Sequence, residues 1–472
     1  MKRKFLIIAL SISLTSCFED ADDNAIDPIN IKDFVWKGLN AIYLYKDQIP
    51  NLADNRFASE QEYTSFLNGY TSPETLFESL MYQRQTVDRF SLIHNNYIAL
   101  EQQLTGTTVT DGLRYYAFAP PNNPSNRVLV IRQVLKGSNA DNLGLQRGQF
   151  ITQIDGTTIT ASNVNALLEG NSHTLHFADY NDSGTPQFDD DTFIPNGITV
   201  TVNKAAFTQN PVQQTEIFDV DGEKVGYMLY NAFNPDFEVH LNNAFAQFQS
   251  NNIQHLVIDL RYNGGGSINT ARLLGSMVTG QFNGQVFSKL VYNSDLQELN
   301  TDYVFLDNFG GNTINSLNLN KVYVLTTSGS ASASELIINS LSAYIDVVQV
   351  GDVTTGKTQA SILIYDSPDF SANNRNPSHT YVMLPLIANS VNVNGQPVPS
   401  TGLVPDISIT ESVVNLGHFG NPDEPLLAAA LADIRGEGRL SASGTTSIFQ
   451  VKTETNVDRF EKVMYLDKHN FQ

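Results

Sequence analysis

The pattern of hydrophobic and polar positions changes along this 472-residue chain from a helical period to strand-like runs. Between Ile31 and about Leu100 the apolar residues recur three or four positions apart, which is typical of helices that bury one face. Ser72-Pro73-Glu74 indicates a helix start, because serine caps free backbone N–H groups and proline fits the first turn. The pattern predicts a small helical domain over residues 31–104.

Short β-branched runs separated by Gly, Asn and Asp come next, at 128–131, 150–154 and 198–202, and they predict a mainly-β domain over residues 105–205. From residue 225 onward strand-like and helix-like segments alternate, which predicts parallel strands with helices packed on the sheet. The predicted strands are 225–229, 256–260, 321–326 and 347–350, and the predicted helices are 237–248, 268–278 and 332–341. This α/β domain covers residues 206–435, and residues 436–472 form a C-terminal tail without a clear period.

The first residues have the pattern of an export signal, with a basic start, an apolar run over 5–14 and then Leu14-Thr15-Ser16-Cys17. The run is too short to span a bilayer. Because Leu-Thr-Ser-Cys resembles the lipobox of bacterial lipoproteins, we predict a signal peptide over 1–16, lipidation of Cys17 and an acidic tether over 17–30. Cys17 is the only cysteine, which excludes disulfides. The predicted location is the cell envelope, with the lipid in the outer membrane on its periplasmic side or at the cell surface.

The charge balance bears on partners. With 28 basic and 49 acidic residues the chain has a net charge of −21, and such a surface repels phosphate backbones. Nucleic acid is therefore not a predicted partner.

Three segments with useful chemistry follow predicted strands. They read DLRYNGGG at 259–266, SGSASASE at 328–335 and GDVTTGKT at 351–358. Ligands of α/β sheets bind at the carboxyl ends of the strands, so the three segments can form one site there.

Each segment also has a plainer interpretation. Ser332 with Glu335 fits a helix capping box, and three glycines fit a tight turn. The third segment matches a nucleotide-binding P-loop letter for letter. A P-loop must open a helix, whereas residues 358–365 read TQASILIY and predict a strand. A nucleotide is therefore not a predicted partner.

Taken together, the three segments resemble the C-terminal processing (tail-specific) serine peptidases. The hallmark of that family is Ser-Ala-Ser-Glu followed by Gly-Lys on the next strand. Here Ser332 begins the tetrapeptide, and Lys357 lies 25 residues after it, as in the family. The resemblance implies that Ser332 is the nucleophile, that Lys357 is its general base, and that Gly266 and Ala333 supply the oxyanion N–H groups.

The resemblance extends to DRFSLI at 88–93, VGYMLY at 225–230 and TGLVPD at 401–406. One position departs from it, because several relatives have glutamine four residues after the lysine, where this chain has Ser361. Ser361, the nearby Gln359 and Glu335 are the candidates for supporting the dyad, and the third catalytic role stays open.

The mainly-β region resembles the PDZ domain of this family through SNADNLGLQRG at 138–148 and QFITQIDG at 149–156. A PDZ domain binds a peptide by strand addition and holds its terminal carboxylate on backbone N–H groups. The candidate loop is 111–115, with Gly112, Leu113, Arg114 and Tyr115 as peptide-binding residues. The alternative is a PDZ domain that only packs on the catalytic domain and gates it.

The chemistry of the two side chains is consistent with Ser332 as nucleophile and Lys357 as its base. A serine hydroxyl needs a base, and lysine serves only when neutral, so its pKa must fall from about 10.4 to near 7. None of the eight histidines lies in a His-Glu-x-x-His motif, and no Gly-x-Ser-x-Gly elbow is present. DYNDSG at 179–184 is similar to a calcium loop, but Asp190 stands at its twelfth position, so we predict an acidic hairpin. No metal and no cofactor are predicted.

The fold class predicted is multidomain α+β, with a helical N-terminal domain, a PDZ domain and an α/β core that the resemblance implies to be of the ClpP/crotonase type. The predicted function is a serine endopeptidase that cuts unfolded or C-terminally tagged proteins by acyl transfer. The alternative is a non-catalytic binding lipoprotein on the same scaffold, as in retinoid-binding relatives. A binder needs neither Ser332 nor Lys357, and the presence of both favours the enzyme.

Overall fold

The computed structural model describes residues 28–185, 187–437 and 462–467. The predicted signal peptide, Cys17 and most of the predicted tether lie outside them. Among the described residues, no helix combines the length and the apolar character that a membrane crossing requires.

The N-terminal part is helical, as the apolar spacing predicts. Its elements are α1 (Pro28–Ile42), α2 (Glu60–Asn68), α3 (Pro73–Ser79), β1 (Leu92–His94) and α4 (Tyr97–Leu104). The helix start predicted at Ser72 is confirmed, because the Ser72 side chain accepts a hydrogen bond from the Thr75 N–H. One face of α1 packs into the largest buried cluster of the molecule through Phe34, Val35 and Leu39.

The second part is a six-stranded antiparallel sheet with small flanking elements. Its elements are β2 (Thr107–Thr110), β3 (Leu113–Phe118), β4 (Val128–Val134), α5 (Asn139–Asn142), β5 (Phe150–Ile154), β6 (Thr157–Thr158), α6 (Val164–Glu169), β7 (Ser172–Asn181), β8 (Thr192–Asn203) and β9 (Ala205–Thr208). The sheet order is β3-β4-β5-β7-β8, with β6 on β5 and β2 paired with β9. The 179–184 segment lies where β7 turns into β8, so it belongs to a hairpin.

The third part is the α/β core. Its strands are β10 (Val212–Val220), β11 (Glu223–Tyr230), β12 (His255–Asp259), β13 (Gly266–Ser267), β14 (Val286–Tyr292), β15 (Thr301–Val304), β16 (Asn308–Phe309), β17 (Asn312–Thr313), β18 (Lys321–Thr326), β19 (Asp346–Gly351), β20 (Gln359–Ser361), β21 (Ile364–Tyr365), β22 (Val382–Leu384), β23 (Leu386–Asn392) and β24 (Ile407–Ser408). Its helices are α7 (Glu238–Ser250), α8 (Ile268–Thr279), α9 (Ala333–Leu341) and α10 (Pro425–Ile434). Short 3₁₀ turns cover Lys46–Gln48, Pro50–Leu52, Phe188–Asp190, Pro235–Phe237 and Ser294–Leu299.

The main sheet of the core has the order β10-β11-β12-β18-β19-β24 and is parallel from β11 onward. Parallel strands are covered on both faces, which explains the unbroken apolar run of β11. Tyr227 and Leu229 pack on the side of α10, whereas Met228 and Tyr230 pack on the side of α7, α8 and α9. The predicted parallel pairing with covering helices is confirmed.

A second six-stranded sheet has the order β13-β25-β20-β23-β14-β15, where β25 is Met464–Tyr465. Its strand β25 comes from the tail, for which the sequence showed no clear period. Met464 pairs in parallel with Gly266, and Tyr465 pairs in parallel with Ser267 and Ser361. A two-residue strand is too short to produce a visible alternation, so sequence pattern alone did not reveal it.

Candidate active site

The three predicted loops meet at the carboxyl ends of the neighbouring strands β12, β18 and β19. Backbone hydrogen bonds join them, from Ala331 N–H to Asn263 C=O at 3.1 Å and from Thr355 N–H to Ser330 C=O at 3.0 Å. The Ser334 hydroxyl adds a bond to the Asn263 carbonyl at 2.9 Å. The prediction that these loops share one edge of the sheet is therefore confirmed.

Ser332 stands at the turn between β18 and α9, immediately before the first helical residue, Ala333. Its φ is +67°, in the left-handed region that residues other than glycine rarely adopt. The side chain is buried, and its Oγ has no hydrogen-bond partner among the described residues. Strain of this kind is concentrated at functional positions, where the surrounding structure holds a side chain in an unusual direction.

Lys357 follows β19 and is 1 % exposed. Its Nζ, too, makes no hydrogen bond within the described part of the chain. Burial lowers the pKa of Lys357 to about 7, although the negative charges of Glu335 and Asp88 oppose the shift. A buried ammonium without a partner is costly, so a large share of the amine is neutral near pH 7.

Glu335 links the two loops through its buried carboxylate. One oxygen, Oε2, accepts both the Ser332 N–H at 2.7 Å and the Lys357 N–H at 2.8 Å. The other, Oε1, accepts the Gly356 N–H at 2.6 Å and the Thr354 hydroxyl at 2.5 Å. Burial raises the pKa of Glu335, and these four hydrogen bonds oppose that shift. The backbones of Ser332 and Lys357 are thus held against one atom.

The glycines of the first loop bring backbone against the serine. Gly265 and Gly266 have φ values of +116° and +135°. A Cβ on Gly265 would lie 2.7 Å from the Ser332 Cβ, and a Cβ on Gly266 would lie 2.2 Å from the Phe233 carbonyl oxygen. Only glycine combines this backbone conformation with such close approach. The Gly266 N–H donates to the Val463 carbonyl at 2.6 Å.

The segment 88–93 also belongs to the site, although the resemblance assigned it no role. The Arg89 guanidinium donates to the carbonyls of Thr355 at 3.2 Å and Gly356 at 2.9 Å, next to Lys357. The Phe90 ring centroid lies 5.6 Å from Lys357 Nζ. The helical domain therefore closes the lysine off from water, and no local signal in the sequence indicated this.

The other predicted supporting side chains are placed differently. Gln359 donates from its amide to the Tyr45 hydroxyl at 3.1 Å, and the Ser361 carbonyl accepts the Leu466 N–H at 3.1 Å. Neither side chain is hydrogen-bonded to Lys357 Nζ. Of the three candidates, Glu335 is the one whose side chain bonds to the backbones of both Ser332 and Lys357.

In the predicted peptide-binding loop, the N–H groups have partners within the loop. The Gly112 N–H donates to the Thr110 hydroxyl at 3.0 Å, and the Leu113 N–H donates to the Asp111 carboxylate at 2.8 Å. Arg114 and Tyr115 continue into β3, which is an edge strand. A cavity of about 520 Å³ is lined both by this loop and by the glycines 264–266 next to Ser332.

The P-loop alternative does not fit the geometry. Lys357 is followed by strand β20 rather than by a helix. The Gly356 and Lys357 N–H groups, which a P-loop would direct at phosphate, are hydrogen-bonded to a carboxylate instead.

Comparison with known families agrees with the architecture. Residues 224–409 match the model of Peptidase family S41, residues 30–92 match the Peptidase S41 N-terminal domain, and residues 130–176 match a PDZ domain. The chain belongs to peptidase family S41. The S41 match spans β11 to β24 and includes all three loops of the site.

Similar proteins of known name are processing peptidases. The chain is 26% identical over 249 residues to the chloroplastic C-terminal processing peptidase of Tetradesmus obliquus, covering 49% of this chain and 48% of that protein. It is 23% identical over 322 residues to the carboxyl-terminal-processing protease of Synechocystis sp., covering 66% of each. The chain thus spans about half to two thirds of the length of these curated relatives.

The S41 architecture also recurs in a solved structure. A crystal structure of an S41-family protein from Bacteroides fragilis NCTC 9343 superposes with a TM-score of 0.71 at 27% identity, covering 86% of this chain and 97% of that one.

Proposed function

We propose that this S41 chain is a serine endopeptidase in which Ser332 is the nucleophile and Lys357 the general base. The observation that carries the proposal is the shared Glu335 oxygen, which accepts the N–H groups of both residues. It holds the strained serine beside a buried lysine whose pKa is about 7. A lysine of that pKa is half neutral at physiological pH, which suits a base.

In the proposed reaction, neutral Lys357 takes the proton of the Ser332 hydroxyl while Oγ attacks the scissile carbonyl carbon. Within the described residues, neither Ser332 Oγ nor Lys357 Nζ has a competing hydrogen bond that must first break. The N–H groups of Gly266 and Ala333 bind the developing oxyanion, and the start of α9 favours negative charge there. The protonated lysine then gives its proton to the leaving amine, and water hydrolyses the acyl-enzyme by the reverse roles.

The PDZ domain is proposed to guide the C-terminus of a protein substrate toward the serine. The cavity that joins loop 111–115 to glycines 264–266 supports this path, since it is continuous between the two.

Export and a lipid on Cys17 are proposed from the first residues. Intact-mass analysis after expression in a lipoprotein-processing bacterium tests that point, and a mature protein that lacks Cys17 would contradict it.

The decisive experiment for the peptidase is labelling with a fluorophosphonate probe, followed by peptide mapping. We expect the label on Ser332, no label in Ser332→Ala, and strongly reduced label in Lys357→Met. Mutating both residues should be little worse for hydrolysis of an unfolded protein than mutating one, because residues that act as a unit are non-additive. Labelling at another serine, or equal labelling of Lys357→Met, would contradict the proposal.

A further inference from the structure

The segment 462–467 lies beside Ser332. Its strand joins β13 to β20, so the segment completes the second sheet of the core. Its strand β25 is inserted between β13 and β20, and it is parallel to both. The Leu466 N–H donates to the Ser361 carbonyl at 3.1 Å, and the Val463 carbonyl accepts from Gly266 at 2.6 Å. The segment therefore binds by strand addition, which is a common way for a protein to bind an extended peptide.

The Val463 carbonyl is hydrogen-bonded to a backbone N–H group that a scissile carbonyl would need in the proposed reaction. It takes the Gly266 N–H to which we assign oxyanion binding. A Cβ on Gly265 would lie 2.5 Å from the Val463 oxygen and 3.0 Å from Ser332 Oγ, so both oxygens border the same small space. A backbone carbonyl thus lies near Ser332 and uses a proposed oxyanion donor.

The side chains of the segment have specific environments. Met464 is 1 % exposed and belongs to the largest buried cluster, together with Leu466. The Asp467 carboxylate accepts hydrogen bonds from the Ser267 hydroxyl at 2.7 Å and the Asn269 amide at 2.6 Å. Val463 packs in a separate apolar cluster with Leu92, Leu100, Tyr365, Val382 and Leu384.

We propose that the groove between β13 and β20 is the substrate-binding site, that it takes extended segments with an apolar residue before the scissile bond and a carboxylate beyond it, and that segment 462–467 is its resident occupant. The inference rests on the proposed function for the identity of the nucleophile. A substrate must displace the segment before Ser332 can attack. The chain therefore holds its own peptidase in a suppressed state.

The test uses the full chain with Met464→Asp. A carboxylate cannot be buried at this position without a partner, so the segment should leave the groove. If the segment fills the groove about nine-tenths of the time, its release should strengthen apparent substrate affinity about tenfold. The measurement is kcat/KM on an unfolded protein. Val239→Asp is the matched control, since Val239 is 53 % exposed and outside the site, and we expect no change there.

A second measurement does not depend on catalysis. A fluorescent peptide of sequence Lys-Val-Met-Tyr-Leu-Asp should bind the Met464→Asp/Ser332→Ala protein, and a scrambled peptide should not. The milder variant Asp467→Asn removes one carboxylate from the exposed end of the segment and should raise kcat/KM less than Met464→Asp does. Asp467→Asn replaces Met464→Asp as the test variant if circular dichroism shows that Met464→Asp does not fold.

The outcomes separate the two proposals. Peptide binding without probe labelling or hydrolysis in any variant would support the groove and contradict the peptidase. Hydrolysis that is unchanged by Met464→Asp and Asp467→Asn, together with no peptide binding, would overturn the inference and leave the peptidase intact. Cleavage of the native chain between Val463 and Met464, absent in Ser332→Ala, would overturn the suppressed state, because the segment would then be a substrate.

Discussion

Single residues carry the chemistry of this site through burial rather than through direct hydrogen bonds between them. Ser332 Oγ and Lys357 Nζ are both buried and both without a hydrogen-bond partner among the described residues. Glu335 does not contact either reactive atom through these bonds, but it binds both backbones. In the proposed mechanism, Lys357 therefore acts as the base and Glu335 positions both residues.

The pH dependence of hydrolysis should follow the lysine. Burial lowers the pKa of Lys357 to about 7, and the base is active only when neutral. We expect kcat/KM to rise with pH and to reach half its maximum near that value. Lys357→Arg should be inactive at every pH, because guanidinium keeps its proton. Initial rates between about pH 5 and about pH 9 check this, and a flat profile or an active arginine variant would remove Lys357 from the mechanism.

Replacing the positioning residue should lower both stability and activity. Glu335→Gln replaces one of the two accepting carboxylate oxygens by an amide N–H₂ group. The remaining oxygen cannot accept all four hydrogen bonds, and the N–H₂ group faces other donors. Leaving a buried donor unpaired costs about 1–3 kcal/mol. We expect a lower midpoint of urea unfolding and a lower kcat, with the pH midpoint still present. Glu298→Gln, at an exposed position, is the control. Unchanged kcat in Glu335→Gln would mean that the hydrogen bonds from Glu335 to the two backbones are not required for activity.

At the scale of elements, buried charges tie the PDZ domain to the catalytic sheet. Arg147, from the turn before β5, donates to Glu411 at 2.5 Å and to the Tyr262 hydroxyl at 2.8 Å. Arg261, two residues after β12, reaches Glu411 at 3.0 Å and Glu424, which precedes α10, at 2.6 Å. Tyr262 belongs to the same loop as glycines 264–266, so the network joins the PDZ domain to the candidate site.

Breaking this network should destabilise the protein. Burial alone would raise the pKa of Glu411, but Arg147 and Arg261 hold it at about 2. Arg147→Met leaves that carboxylate with less compensation, which typically costs about 3–5 kcal/mol for a buried pair. Thermal and urea unfolding measure the loss, with the exposed Arg435→Met as control. The contribution is present above the usual glutamate pKa and should vanish as pH falls toward 2. An unchanged midpoint in Arg147→Met would contradict it.

On the scale of the whole molecule, one cavity extends from the PDZ loop 111–115 to the glycines 264–266 next to Ser332. Its lining includes Asp111, Arg114, Gly265 and Val463. The helical domain covers the lysine from the other side through Arg89 and Phe90. Three domains and the tail thus enclose one site, and access to it depends on their arrangement.

The PDZ proposal predicts that peptides with a free C-terminus are cut faster than amidated ones. The Leu113 N–H is held by Asp111, whose negative charge opposes a second carboxylate. Asp111→Asn removes that charge, so it should enlarge the preference for the free C-terminus. Paired kcat/KM values for the two peptides measure this, with the exposed Asp302→Asn as control. Equal turnover of both peptides by both proteins would refute carboxylate binding at this loop.

The sequence by itself determined the elements and the chemistry of the loops. The apolar run of β11, the small residues before α9 and the glycines of the first loop each carry a local signal, because burial on both faces or close backbone approach restricts the residue types allowed. The order of those loops on parallel strands was enough to expect one site at the carboxyl edge. The oxyanion role of Gly266 and Ala333 follows from the resemblance to the C-terminal processing peptidases and remains a proposal.

Only the tertiary structure decided how the site is held and what fills it. Residues that are far apart in the chain meet in each case: Glu335 binds the Lys357 backbone, Phe90 lies over Lys357, and Met464 pairs beside Gly266. Such contacts depend on how completed elements pack, and no local period records them. Glu335 looked like a capping residue for the same reason, since its bond to the Ser332 N–H is local and its bond to the Lys357 N–H is not.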